Sequence, residues 1–300
     1  MTRRIILLLQ GGLGNQLLQI VFASHLARIL QSDLIIYDNL LYSTSRRLRG
    51  ITSRQLSLPV NRCIKQYLKS GFSLKYLSCR FQARARFSSR TTQIINDIDW
   101  SHDIIDQVLS NYETLIIKSH CSSAQLFDKR YDQDWLNLYE SLARYSSSPI
   151  ESDEYSATLH IRRGDYQKWP NLYRLLPDEY FYQGASFIMA QTKQQALVFK
   201  ILTDDHMLVR QIAISNSYQS LRSTIGNSDE IDDFITLCNS DYIVISNSTF
   251  SSVAAHISEL LGYAKIVVAP REWFPVGHRQ SGQQPGKCLG DMRKEGWKLL

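Results

Sequence analysis

Apolar positions follow two rhythms along this chain. Some form short unbroken runs, the habit of parallel strands covered on both faces. Others recur at helical spacing. Arg3 to Leu9 opens with such a run, Ile5-Ile6-Leu7-Leu8-Leu9. The glycine-rich turn Gln10-Gly11-Gly12-Leu13-Gly14-Asn15-Gln16 follows. From Gln16 to Leu30, the residues Leu17, Ile20, Val21, Leu26, Ala27 and Leu30 then fall at helical spacing. Strand, glycine turn and helix make the entrance of a Rossmann-like unit, whose helix N-terminus can meet an anion or sugar hydroxyls. The dinucleotide fingerprint fails, because its third glycine would fall on Leu17. A tight strand-to-helix connection without any ligand accounts for the same residues.

Leu34-Ile35-Ile36-Tyr37 and Leu115-Ile116-Ile117 predict further strands, and Trp135 to Tyr145 a helix. The Ser146-Ser147-Ser148-Pro149 cluster is the linker candidate, so domains of 1–149 and 150–300 are expected. Beyond it, Tyr155 to Leu159 reads as the end of a strand. Pro177-Asp178-Glu179 opens a helix, with proline in the first turn and acids at the positive dipole end. Ala196–Leu202, Tyr242–Ile245 and Ala264–Pro270 read as strands; Asp229–Leu237 and Ser252–Leu261 read as helices. Strands alternating with helices predict an α/β protein of two Rossmann-like, parallel-sheet domains facing a cleft.

Three predicted strand ends in the second half carry polar clusters: His160–Tyr166, Thr203–His206 and Ser246–Ser251. In an open parallel sheet such ends gather along one edge, where ligands bind. In His160-Ile161-Arg162-Arg163-Gly164-Asp165-Tyr166, two arginines leave the strand and a glycine lets the backbone turn. Arginine presents a planar fork of donors that fits phosphate oxygens. A solvated loop with a surface Arg–Asp pair would read the same way. Arginines for phosphate, carboxylates for hydroxyls or base edges, and small hydroxyls beside a helix N-terminus together suit a sugar nucleotide.

Composition narrows the class. The 300 residues are 44% hydrophobic and 21% charged, ordinary for globular chains. Ile5–Leu9 is too short to span a membrane and runs into glycines rather than a cleavage site, so neither secretion nor an anchor is expected. Five scattered cysteines indicate no disulfide framework and no structural zinc site, which fits a reducing cytosol. The net charge of +6 is uneven. From Asn39 to Asn96 there are twelve basic residues, Arg46 to Arg90, and no acid; removing those twelve from +6 leaves −6 elsewhere. Such a block attracts polyanions or an anionic membrane surface, or is a solvated face with no partner. Interleaved Leu56, Tyr67, Phe72 and Leu77 favour a partly helical amphipathic segment over a disordered tail. No RNA-recognition or helix-turn-helix signature accompanies it, so nucleic acid is disfavoured as a partner.

These stretches resemble the bacterial α-1,2-fucosyltransferases of glycosyltransferase family eleven. Gly11-Gly12-Leu13-Gly14-Asn15-Gln16 is similar to the family's N-terminal motif, and His160 to Tyr166 to its central signature. Leu202-Thr203-Asp204-Asp205 is similar to its aspartate pair. Asp233 to Leu237, followed by Asn247-Ser248-Thr249-Phe250-Ser251, is similar to its last motif, and Pro270 and Trp273-Phe274 to its tail. Ser252-Val253 depart from the pattern, where the family commonly has two tryptophans; that puts packing beneath the donor site, or acceptor preference, in question.

The resemblance implies a GT-B architecture and inverting, metal-independent transfer of fucose from GDP-fucose to a hydroxyl, typically the 2-OH of a galactoside. It implies no cofactor besides the donor. The expected acceptor is a galactose-containing glycan or lipid-linked oligosaccharide of a surface polysaccharide. The expected location is cytoplasmic, with peripheral contact at the inner membrane. Arg162 and Arg163 would hold the diphosphate, Arg162 being the more sensitive, with help from Asn247, Ser248 and Thr249. Asp233 would read guanine. His160 either shapes the guanine or ribose pocket or is a satisfied structural histidine. Asp204 belongs with the donor site; with Asp205 it also invites a metal or a helix-cap reading. Asp165 would orient Arg162 or meet the acceptor, and it shares candidacy for general base with an acid such as Asp38. Gly12, Gly14, Asn15 and Gln16 would line the acceptor or fucose side. Two alternatives stay open: a GDP-sugar transferase of another linkage or sugar, and a non-catalytic relative that binds acidic polymer.

Overall fold

The computed structural model describes residues 3–37, 92–95, 113–144, 146, 157–192, 197–205, 222–225, 230–275, 277 and 290–300. The basic residues Arg46 to Arg90, Asp38 and His206 lie outside them. The chain forms two compact units, Met1–Ser141 and Leu142–Leu300. The division falls near the end of a helix, Asp132–Ala143, rather than at the Ser146–Pro149 cluster.

The first unit is built on a four-stranded parallel sheet. Its elements are β1 (Arg4–Leu8), α1 (Leu13–Ile29), β2 (Asp33–Tyr37), β3 (Thr92–Ile95) and β4 (Thr114–Ile117), followed by α2 (Asp132–Ala143). Strand order is β2-β1-β4-β3, with Ile6 opposite Ile35 on one side and Ile116 on the other. The unbroken apolar runs are explained by their burial: Ile5, Leu7, Leu115, Ile116 and Ile117 are fully enclosed. A polar clamp joins α1 to α2. Asp134 Oδ2 lies 2.9 Å from the Arg28 guanidinium and 3.1 Å from His25 Nδ1. Burial alone would raise the Asp134 carboxyl, but His25 and Arg28 outweigh it and hold it below the usual range.

The second unit carries β5 (Ala157–Ile161), α3 (Asp178–Thr192), β6 (Val198–Thr203), β7 (Arg222–Ile225), α4 (Glu230–Cys238), β8 (Tyr242–Val244), α5 (Thr249–Leu260), β9 (Ile266–Ala269) and β10 (Lys298–Leu299). The order is β10-β9-β8-β5-β6-β7, every neighbour parallel. Central β5 is buried along its whole length and splits its side chains by alternation. Ala157, Leu159 and Ile161 join the core with Tyr180, Phe181, Ala185 and Ile188 of α3. On the other side Thr158 pairs with Ser240 at 2.6 Å, and His160 stacks on Phe250 of α5.

The strands β3, β7 and β10 were not among those expected from the sequence. No described helix is long and apolar enough to cross a membrane.

Candidate functional site

From β5 the chain runs outward to β6 and β7, then returns to place β8, β9 and β10 on the other side. The crevice between the carboxyl ends of β5 and β8 is therefore the topological switch point, where open α/β sheets bind ligands. Hydrogen bonds tie the two ends together. Ser246 Oγ donates to the His160 carbonyl (2.6 Å) and accepts from the Arg162 N–H (3.0 Å). The Tyr166 hydroxyl donates to the Asn247 carbonyl (2.8 Å).

Arg162 stands at this edge with its side chain 12% exposed, 3.0 Å from Asp204 Oδ2. Its guanidinium lies 5.6 Å from the centroid of the Tyr166 ring. Asp204 reaches over from the end of β6. Its Oδ1 accepts from the backbone N–H groups of Arg163 (2.8 Å) and Gly164 (3.2 Å). Burial pushes the Asp204 carboxyl up, but Arg162 and those two N–H groups outweigh burial and bring it below the ordinary value. The aspartate thus fixes both the turn and the arginine. Among the described residues no group of His, Cys, Asp and Glu side chains is arranged to hold a metal ion.

Arg163 corrects the expectation of a paired phosphate clamp. It is 4% exposed, pairs with Asp178 in the first turn of α3 and donates to the Leu176 carbonyl. Its guanidinium lies 5.9 Å from the Phe181 ring centroid. Adjacent residues of an extended chain point to opposite faces, so one arginine stays at the edge and the other goes beneath it. Asn247 is likewise engaged in fastening the scaffold: its Nδ2 donates to the carbonyls of Arg174 (2.9 Å) and Trp273 (3.0 Å).

His160 lies against Phe250, ring centroids 5.2 Å apart at 28°, and Phe250 meets Phe234 edge-on. Phe234 is the neighbour of half-buried Asp233 on α4, which brings that helix beside the His160–Phe250 pair. Ser248 caps α5 in extended conformation and its side chain makes no cap bond; Thr249 begins the helix. The first-turn N–H groups and positive dipole end of α5 thus start at the switch point. Ser252 and Val253 are fully buried in α5, so the departure from the tryptophan pattern falls in the packing. Asp205 accepts a long bond from Gln167 (3.4 Å). The Asp165 side chain lies outside the described residues.

The first unit has its own switch point, between β1 and β4. Gly11 takes the left-handed φ of 85°, and a Cβ there would meet Asn15 Nδ2 at 2.7 Å. Gln16 is fully buried and donates to the Gly11 carbonyl (2.7 Å), so it holds the turn rather than lining a surface. Asn15 is half-buried and its Oδ1 accepts from Ser122 Oγ (3.1 Å) at the end of β4. Gly12 caps α1, and Gly14 is buried in its first turn. Cys121, beside Ser122, has a φ of 52°, a conformation rare outside glycine. The sequence reading assigned no role to Tyr166, Ser246, Phe250 or Ser122. The first three lie in the strand-end clusters it had singled out.

Comparison with known proteins bears on both units. Residues 150–281 match glycosyl transferase family 11. Over 299 residues the chain is 27% identical to the O-antigen biosynthesis glycosyltransferase WbnK of Escherichia coli, covering 91% of this chain and 95% of that protein. FUT1 of Arabidopsis thaliana in complex with GDP is similar at 14% identity and a TM-score of 0.44, over 86% of this chain and 68% of that one. Fucosyltransferase NodZ from Bradyrhizobium is similar at 12% identity and a TM-score of 0.44, over 93% and 97%.

Proposed function

We propose, from the match of residues 150–281 to glycosyl transferase family 11, that the protein transfers fucose from GDP-fucose to the 2-OH of a galactoside. In this reading transfer inverts the anomeric centre and needs no metal ion, on a GT-B architecture. The relative named for O-antigen biosynthesis supports a surface polysaccharide as the product and a lipid-linked oligosaccharide as the acceptor, on the cytoplasmic side.

The observation that carries the reading is Arg162 at the switch point, held by Asp204 and Tyr166. As the bond between fucose and the diphosphate breaks, negative charge grows on the β-phosphate and the sugar becomes oxocarbenium-like. A cation already fixed in place stabilises that charge without reorganising. Arg162 supplies it, and the N–H groups at the start of α5, with Ser248 and Thr249, add donors. Arg163 acts beneath, holding the turn against α3. The His160–Phe250 pair forms the wall for guanine or ribose, and the Asp233 carboxylate accepts from guanine N1 and N2. The acceptor hydroxyl attacks the anomeric carbon opposite the leaving diphosphate, and a carboxylate takes its proton; Asp165 is the candidate. Asn15, braced by Ser122, meets the acceptor or the fucose.

Calorimetric titration with GDP, UDP and CDP tests the donor assignment. GDP should bind tightly and the pyrimidine nucleotides weakly, and Asp233→Ala should erase that preference. Equal binding of all three would sink the guanine reading.

A further inference from the structure

Seven large apolar side chains are exposed among the described residues, and Trp169, Leu172, Tyr173 and Leu175 are four of them. All four belong to the loop that leads from the β5 edge to α3. We propose that this loop is a membrane-docking surface that seats the switch-point edge of the second unit on an anionic bilayer.

The loop is a built surface. The N–H groups of Leu172 and Tyr173 both donate to the Trp169 carbonyl. Tyr173 stacks flat on Tyr166, with centroids 4.4 Å apart at 9°. The Tyr166 hydroxyl is fixed on Asn247, whose amide in turn grips the Arg174 carbonyl. Apolar side chains are thus held outward by the same residues that frame Arg162. Large apolar side chains exposed together on one short loop mark an interaction site.

Its chemistry selects the partner. Aromatic faces alone would suit a sugar ring, but the most exposed member is Leu172, at 54%, and Leu175 follows at 44%. Aliphatic side chains offer nothing to a hydroxyl-rich ligand and much to acyl chains. Trp169 and Tyr173 have an apolar body and a polar tip, the form that settles at headgroup depth. Lys168 and Arg174 flank them and can reach lipid phosphates. Asp178, the nearest acid in sequence after the loop, is paired with Arg163, leaving Glu179 as the acid that follows on α3. Docking requires no sugar transfer. Its value for reaching a lipid-borne acceptor rests on the function proposed above.

The test is flotation of the full-length protein with vesicles of phosphatidylethanolamine and phosphatidylglycerol, without any nucleotide. The wild type should float with these vesicles, and lipids brominated in the acyl chain should quench its tryptophan emission. L172S/L175S should bind about tenfold more weakly, from the apolar surface withdrawn, while near-UV circular dichroism stays unchanged. W169F should still float but lose most of the quenching. The proposal is overturned if the wild type does not float, if it floats unquenched, or if the double variant floats as well as the wild type. It is also overturned if the double variant keeps vesicle binding and instead loses turnover of a water-soluble galactoside, which would make the loop a saccharide platform.

Discussion

Asp204 occupies the space that a side chain on Gly164 would need. A Cβ at Gly164 would sit 2.5 Å from Asp204 Oδ2, the oxygen that pairs with Arg162. The glycine is required by this proximity. Gly164→Ala should displace Asp204 and loosen Arg162, lowering kcat about 10- to 100-fold with a smaller effect on KM, because a misplaced charge weakens transition-state stabilisation first. Steady-state kinetics with GDP-fucose would show it; wild-type kcat would mean the contact is relieved without cost.

The two neighbouring arginines should separate in mutagenesis. Arg162→Ala should lower kcat by about 10²–10³, as loss of one preorganised donor does, while the protein stays folded. Arg163→Ala should cost about 2–3 kcal/mol of stability through its lost charged hydrogen bonds, and its residual activity should follow the folded fraction. Parallel denaturation and kinetics would distinguish them. Equal losses of kcat at equal stability would contradict the division of labour.

The acid limb of stability should carry the mark of Asp204. Its carboxyl lies below the ordinary value in the folded protein, so the unfolded chain takes up the proton first as pH falls. The stabilisation is complete above the usual carboxylate range and is lost as pH drops through the folded value. Asp204→Asn should lower Tm at neutral pH and flatten the decline of Tm between about pH 5 and pH 2. Parallel curves for the two proteins would remove Asp204 from the acid transition.

His256 should contribute a second, higher limb. Burial, reinforced by Lys294 beside it, lowers its pKa from 6.5 to about 3. Lys294 Nζ lies 3.2 Å from His256 Nδ1, which suits a neutral ring acting as acceptor. In the unfolded chain the ring protonates near its ordinary value, so stability is full above pH 6.5 and falls steadily toward pH 3. His256→Gln should flatten the Tm profile across that window. An unchanged slope would show that another group dominates there.

The unbroken apolar runs made the central strands legible, because burial on both faces demands apolar side chains throughout. β1, β4 and β8 are of this kind, whereas β5 alternates, with Thr158 and His160 buried on its second face. The three strands not anticipated, Thr92–Ile95, Arg222–Ile225 and Lys298–Leu299, are edge strands of two to four residues. One neighbour suffices to pair such a strand, and a stretch that short has no period to read.

At the site, type and position were legible where direction was not. The strand-end rule located Arg162, Asp204 and Ser246 at one edge before any coordinates. Arg163 and Asn247 have the right chemistry in the right cluster, yet their side chains point into the scaffold. For Arg163 the alternation of an extended chain could have given the answer. For Asn247 nothing local could, since its partners Arg174 and Trp273 are distant in sequence. Gln16 shows the same limit: a polar residue in a motif reads as a ligand contact, while here it closes the turn on Gly11.

The most direct measurement of the central claim is incubation of purified protein with GDP-fucose and a panel of β-galactosides in EDTA, followed by mass and linkage analysis of the products. The account predicts a galactoside carrying one added fucose in α-1,2 linkage. Absence of any fucosylated product across the panel, or a product formed only when a divalent metal is restored, would contradict it.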